Sequence, residues 1–243
     1  DNKNYMSNAL HTQGASFYIK GNNEEALEYY EKSLKIKEEI GDKKGMGRSY
    51  NNIGNIYNIL GNDEKAKEYY EKCLKITVEI GYKKGIGGSY NNIGNIYKNQ
   101  GNFEKALEYY EKSLKIKEEI GDKSGIGSSY NNIGAIYNDQ GNNEKALEYY
   151  EKCLKISEEI GNKSGMGPSL RNIGIIYKEQ GNYKKALECL LKSKKIYEEI
   201  NVITDLDKTA KVLMEVYEKL GKPQKALENY KLYVIVKDSL AKM

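Results

Sequence analysis

The chain has 243 residues, 30% of them charged and 39% hydrophobic, and 39 Lys and Arg stand against 35 Asp and Glu for a formal net charge of +4. That balance excludes a nucleic-acid footprint, which gathers Lys and Arg on one face without matching Glu, and the 23 tyrosines exclude a disordered chain. Three cysteines at wide spacing (Cys73, Cys153, Cys189), with no CxxC and no Cys/His cluster, argue against a disulfide framework or a structural metal, and no apolar run approaches a membrane span.

Taken in chain order, the sequence repeats itself every 40 residues, so the period is read before anything else. A degenerate first unit carries Gly14, Phe17, Ala26 and Tyr30. In the second, a helix is predicted from Gly45 to Leu60, with Tyr50, Ile53, Gly54 and Tyr57 at helical spacing. Gly61 ends it, because a residue without Cβ takes the left-handed conformation of a helix end at no cost. Asn62 then caps a second helix that carries Ala66, Tyr69, Tyr70, Cys73, Leu74 and Ile76 as far as Ile80 and stops at Gly81. Asp42 and Asp122 are the expected caps of first helices, where a carboxylate also suits the positive helix end.

Asn51 to Tyr57 returns as Asn91 to Tyr97, as Asn131 to Tyr137 with Ala135 in place of the third Asn, and more weakly as Arg171 to Tyr177. The second half-unit returns in register, from Glu64-Lys65-Ala66 to Lys184-Lys185-Ala186, and a degenerate sixth unit holds Tyr217, Ala226 and Tyr230. The expectation is an all-α, right-handed α-solenoid of about six helix-turn-helix units, a single array over 1–243 with units near 1–40, 41–80, 81–120, 121–160, 161–200 and 201–243. Atypical end units act as caps, since a terminal face meets water. Ser33, Cys73, Ser113 and Cys153 share one register position, so the cysteines read as small buried packing residues and not as reactive thiols.

On these residues the unit resembles the tetratricopeptide repeat (TPR), whose signature falls on Tyr50, Ile53, Gly54, Tyr57, Ala66, Tyr70 and Cys73. The common unit has 34 residues and a proline near the end of its second helix; this one has 40, with Val78 at about that place. Such longer units are similar to the spindle-orientation adaptors of the LGN/Pins type and to the sensory TPR arrays of some bacterial histidine kinases and transcription regulators. The closing segment Tyr230 to Leu240 resembles the end of such sensory arrays and suggests a fragment of a longer signalling protein, as does a chain that begins at Asp1 without Met.

The resemblance implies a concave groove lined by first helices. Its groove-facing positions are Asn51, Asn52, Asn55, Asn91, Asn92, Asn95, Asn131, Asn132 and Asn172. Asparagine is a mediocre helix former, and its amide both donates and accepts, so a ladder of them suits the backbone of an extended peptide. The same amides also suit hydrogen bonds between neighbouring helices. Arg48 and Arg171, the only arginines, map to the same face and suit a carboxylate. The carboxylate clamp of chaperone-binding TPR domains is disfavoured, because Asn51, Asn91 and Asn131 stand where its first Lys is needed.

Enzyme readings lack parts. His11 is the only histidine, and Gly85-Ile86-Gly87-Gly88 lacks both the preceding strand and the Lys-Ser/Thr ending of a phosphate loop. No metal and no cofactor is implied. The leading expectation is a non-catalytic protein- and peptide-binding scaffold; the alternative is a sensory input domain of a bacterial two-component kinase or transcription regulator. RNA binding needs varied groove residues where this chain has uniform Asn. Self-association through Val234, Ile235 and Val236 of the last helix is a further possibility. Three free thiols tilt slightly towards a soluble, cytoplasmic setting, with no membrane contact expected in this segment; no signal peptide is visible, which says little about where the parent protein lives.

Overall fold

The computed structural model describes residues 2–241, and side chains as far as residue 238, so Leu240 of the expected closing segment lies outside the described side chains. The described residues form twelve α-helices and no strand. They fall into two compact units, Asp1–Gly121 and Asp122–Met243. The first holds α1 (Asn2–Ile19), α2 (Asn23–Ile40), α3 (Lys43–Ile59), α4 (Asp63–Glu79), α5 (Lys83–Asn99) and α6 (Phe103–Glu119). The second holds α7 (Lys123–Asp139), α8 (Asn143–Glu159), α9 (Lys163–Glu179), α10 (Tyr183–Glu199), α11 (Ile203–Lys219) and α12 (Pro223–Ala241). No described helix is long and apolar enough to cross a membrane.

A left-handed residue punctuates the chain every twenty positions. Gly61 has φ +73° and Gly81 φ +65°, and Asn201, at φ +58°, takes the place where the other turns have glycine. At the first of these turns the Gly61 N–H donates to the Asn58 carbonyl (3.0 Å) and the Asn62 N–H to the Tyr57 carbonyl (2.8 Å), which satisfies carbonyls left over at the end of α3. The caps follow at once. Asn62 Oδ1 accepts from the Lys65 N–H at 3.1 Å, and Asp42 Oδ1 accepts from the Gly45 N–H at 2.9 Å. Asp122 does the same for Gly125 at 3.0 Å. The first helix of the second repeat begins at Lys43, two residues before its expected start, because Asp42 caps it there.

Within each repeat the two helices meet where a glycine backbone faces a ring. A Cβ built on Gly54 would lie 2.7 Å from the Tyr70 ring, and one on Gly94 2.7 Å from the Tyr110 ring. Gly134 faces Tyr150 in the same way, and in the fifth repeat Gly174 faces Leu190. Within the units, second helices also pack on the next first helix: α2 on α3 and α4 on α5 in one, α8 on α9 and α10 on α11 in the other. The first unit buries Ala26, Tyr30, Ile53 and Ile56 together. The second buries Ala146, Tyr150, Ile173 and Ile176 together, and a separate cluster of Ala186, Leu190, Leu213, Val216, Tyr217 and Ala226.

The shared small position behaves as expected. Cys73 and Cys153 are buried, and burial raises both thiol pKa values. The serines that alternate with them donate to the carbonyl 26 residues earlier: Ser33 to Ser7 (2.7 Å), Ser113 to Gly87 (2.8 Å) and Ser193 to Gly167 (2.9 Å). On α12, Val236 is buried and Val234 half-buried, which leaves Ile235 exposed at 63%.

Two substitutions on first helices separate packing from helix propensity. Gly54→Ala drives a methyl into the Tyr70 ring, an overpacking cost of about 1–3 kcal/mol that outweighs the helical gain of ~1 kcal/mol. Gly88→Ala meets nothing within 4 Å and keeps that gain. Urea titration followed by circular dichroism is expected to lower the midpoint for Gly54→Ala and raise it for Gly88→Ala; equal shifts would show that the ring contact does not limit the helix approach.

Candidate functional site

The groove-face asparagines first satisfy one another. Asn92 Nδ2 donates to Asn51 Oδ1 at 2.9 Å, and Asn172 Nδ2 donates to Asn131 Oδ1 at 3.4 Å. Both bonds join a first helix to the first helix of the preceding repeat. At the start of the series Asn52 Nδ2 meets His11 Nε2 at 3.2 Å, because His11 stands 40 residues before Asn51 and takes its place. Asn91 and Asn132 also have partners. Asn55 and Asn95 accept from the Tyr70 and Tyr110 hydroxyls at 2.8 and 2.7 Å. Each amide has two donor and two acceptor sites, so one or two such bonds leave capacity over.

Beside the ladder each unit has a recess in the same register. In the first it has a volume of about 280 Å³, with Asn51, Asn52 and Arg48 of α3 on one wall, Thr77 of α4 on the floor, and Lys84, Gly85 and Gly88 of α5 on the other wall. His11 and Lys44 also reach it. In the second, about 200 Å³ lies among Asn131, Asn132 and Ser128 of α7, Ser157 of α8, and Ser164 and Pro168 of α9. These residues are the counterparts of the first set, eighty positions on.

The two arginines have different surroundings. Arg48 is exposed at the first recess and has no ion-pair partner among the described residues. Arg171, 40 residues after Asn131, is largely buried; its guanidinium binds the Asp205 carboxylate of α11 at 2.5 Å and lies 5.8 Å from the Tyr197 ring centre. Its charge is therefore neutralised inside the second unit.

Three further residues shape the first site: Lys37, Lys44 and Lys84. The Lys37 ammonium, on a side chain 1% exposed, donates to Ser49 Oγ at 3.2 Å and lies 3.3 Å from His11 Nδ1. Burial, and then the nearby Arg48 charge, bring its pKa down to about 8, although the Asp42 carboxylate acts in the other direction. Burial, then Lys37, then Arg48 bring His11 down to about 4. Sequence reading missed these residues, since lysine is common throughout the chain and nothing local marks one as buried.

The geometry of glycine-faced hairpins at a fixed period agrees with a family model. The tetratricopeptide repeat model matches residues 5–77, 86–159 and 125–199. The chain belongs to the tetratricopeptide repeat family. No curated protein matches it in sequence. Among solved structures this TPR chain is similar to BtubC (BKLC) from P. vanneervenii, 19% identical with TM-score 0.77 over 91% of this chain and 93% of that one. It is similar to a Rap protein complexed with competence and sporulation factor, 16% identical with TM-score 0.66 over 96% and 75%. It is also similar to a signal transduction ATPase with numerous domains that has a tetratricopeptide repeat sensor, from Pyrococcus horikoshii: 22% identical, TM-score 0.72, over 95% of this chain and 38% of that one. At these identities the likeness is one of fold.

The depressed imidazole gives a pH signature. The fold holds His11 neutral, while the unfolded chain binds a proton near the ordinary 6.5. Stability from this group is therefore present above about 6.5 and lost as pH falls toward 4. The single histidine is expected to titrate by NMR with a midpoint of about 4. His11→Asn, the residue of the next three repeats, is expected to remove part of the fall in melting temperature between those pH values. A midpoint near 6.5 would place the ring in solvent.

Proposed function

We propose that the chain is a non-catalytic protein- and peptide-binding scaffold that holds an extended segment along its first helices. The recurrence of one recess carries this reading: the same positions, eighty residues apart, leave an opening beside the asparagine ladder in both units. An extended peptide running past it finds amides with donor and acceptor capacity left over at Asn51, Asn52 and Asn131, with Asn132 on the same face. Each hydrogen bond adds roughly 0.5–1.5 kcal/mol net, so useful affinity needs several. In this reading Asn91, Asn92, Asn95, Asn55 and Asn172 chiefly set the spacing of the helices that present the site. Arg48 faces the ligand, and Arg171 shapes the second unit through Asp205. His11, bonded between Asn52 and Lys37, is a structural element of the ladder and not a base.

A sensory input role is the second reading, supported by the likeness to a tetratricopeptide repeat sensor within a larger signalling ATPase. It is compatible with peptide binding and adds a change of state. A ligand-dependent shift in the radius of gyration by solution scattering would favour it.

Selection from a random peptide display library tests the scaffold reading. Gly88→Tyr and Ser128→Tyr place a bulky side chain at each recess from positions where Gly88 has open space and Ser128 is exposed. Enriched peptides are expected to bind the double variant at least about tenfold more weakly, a loss of about 1.4 kcal/mol, with helicity unchanged. Peptides that bind it as well as the parent, or no enrichment at all, would move the binding surface away from the first helices.

A further inference from the structure

The second helices alternate at one position of the 40-residue register: Lys37, Thr77, Lys117, Ser157. The N-cap five residues later alternates with it: Asp42, Tyr82, Asp122, Asn162. The pairing has a physical reason. A buried ammonium needs a nearby carboxylate, and a repeat without the lysine does not.

Lys37 shows what the position holds when filled. Its stem passes Gly45 so closely that a Cβ there would lie 2.9 Å from Lys37 Cδ. Its ammonium reaches Ser49 and His11, and Asp42 supplies the compensating charge while capping α3. Lys117 is likewise buried, at 8% exposure. Thr77 and the Tyr82 ring fill the place beside Gly85 that the Lys37 stem fills beside Gly45, and Ser157 does so beside Gly165, but neither Thr77 nor Ser157 has the length of the lysine end, and the recesses open beside them. The recesses are lysine slots without their lysine.

What remains in the first slot is a set of unmet demands. Behind the recess, outside its lining, Ser89 is the counterpart of Ser49; it is 1% exposed, and its Oγ lacks the lysine donor that Ser49 has and meets only the Cys73 thiol weakly. Helix α5 starts at Tyr82 without a side-chain cap, so the Gly85 N–H lacks the carboxylate that Gly45 and Gly125 have. Lys44, Arg48 and Lys84 line the recess, none of them ion-paired among the described residues, and no carboxylate lines it with them. The second slot is different. Its counterparts are Ser124, Ser128 and Ser164, and the Ser169 hydroxyl donates to the Gly165 carbonyl at 3.0 Å. Helix α9 also starts without a side-chain cap, so the two slots differ in the charge at their rims: three cations line the first and three serines the second.

We infer that the recess beside Thr77 is an anion pocket that receives an acidic side chain of the bound peptide, with Arg48, Lys44 and Lys84 around the carboxylate and the start of α5 beneath it. This rests on the peptide-scaffold reading and adds the class of side chain. The ligand carboxylate supplies from outside the acceptor that Asp42 and Asp122 supply from within. Three cations and an uncapped helix start favour a carboxylate over a neutral amide, since charge-assisted hydrogen bonds are about twice as strong as neutral ones.

The test uses the full chain, labelled with ¹⁵N-glycine, in low-salt buffer. The probe is N-acetylglutamic acid α-amide, compared with its glutamine analogue and with inorganic phosphate. The acid is expected to shift the Gly85 and Gly88 amides saturably, with a Kd on the order of 10 mM, and the glutamine analogue to leave them in place. Lys44→Ser with Arg48→Ser and Lys84→Ser copies the second unit's rim at exposed positions and is expected to weaken the acid at least about tenfold. Thr77→Lys with Tyr82→Asp copies the filled slot and is expected to abolish the shifts. Equal shifts from acid and amide, or undiminished binding by the serine-rim variant, would overturn the inference. Tighter binding of phosphate than of the acid would overturn the carboxylate assignment. Display peptides without acidic residues, together with a silent probe, remove the pocket and leave the scaffold standing; a probe that binds where no peptide is enriched does the reverse.

Discussion

Contact between a glycine backbone and an aromatic ring sets the separation of the two helices in each central repeat. With a Cβ at Gly54, Tyr70 has no room, and its hydroxyl loses its place against Asn55. That closeness has a consequence one element further on. Helix α3 presents its next face at a fixed height, and Asn51 and Asn52 come within hydrogen-bond reach of the helices on either side. The left-handed turn every twenty residues keeps this geometry in phase. The two constraints together convert a short sequence signature into a row of side chains with constant spacing.

Constant spacing makes small departures informative. A lysine of one repeat replaced by threonine in the next changes little on an isolated helix surface. In a stack of near-identical repeats it empties a defined volume, removes the reason for an aspartate cap, and leaves a serine hydroxyl without its donor. The first unit adds cations at the edge of that volume, and the second adds serines. Two recesses of the same origin therefore differ in charge. A repeat scaffold can thus diversify its ligand preferences with exposed substitutions that leave its core untouched.

Burial decides which charges remain available. Arg171 and Arg48 look alike in sequence, on the same face of the same kind of helix. Asp205 neutralises the first inside its own unit, and among the described residues no carboxylate pairs with the second. Burial first, and then the Lys37 and Arg48 charges, depress His11, so the site keeps a neutral imidazole beside the Lys37 ammonium. The many exposed Lys–Glu pairs on the second helices, such as Lys72 with Glu68, contribute little by comparison, since solvent screens them.

The sequence by itself determined the period, the helix-turn-helix unit, the caps at Asn62, Asp42 and Asp122, and the burial of Cys73 and Cys153. Each of these follows from local chemistry: backbone conformation at a glycine, an oxygen within reach of a free N–H, the size of a side chain at a crossing. It also placed Asn51, Asn52, Asn131 and Asn132 on one face. Only the tertiary structure decided that these amides bond first to one another, that Arg171 is neutralised, and that Thr77 and Ser157 leave slots which Lys37 shows filled. Those outcomes depend on groups some forty residues apart meeting across helices. A helical period records which way a side chain points; what already occupies the space is settled only when the neighbouring repeat packs against it.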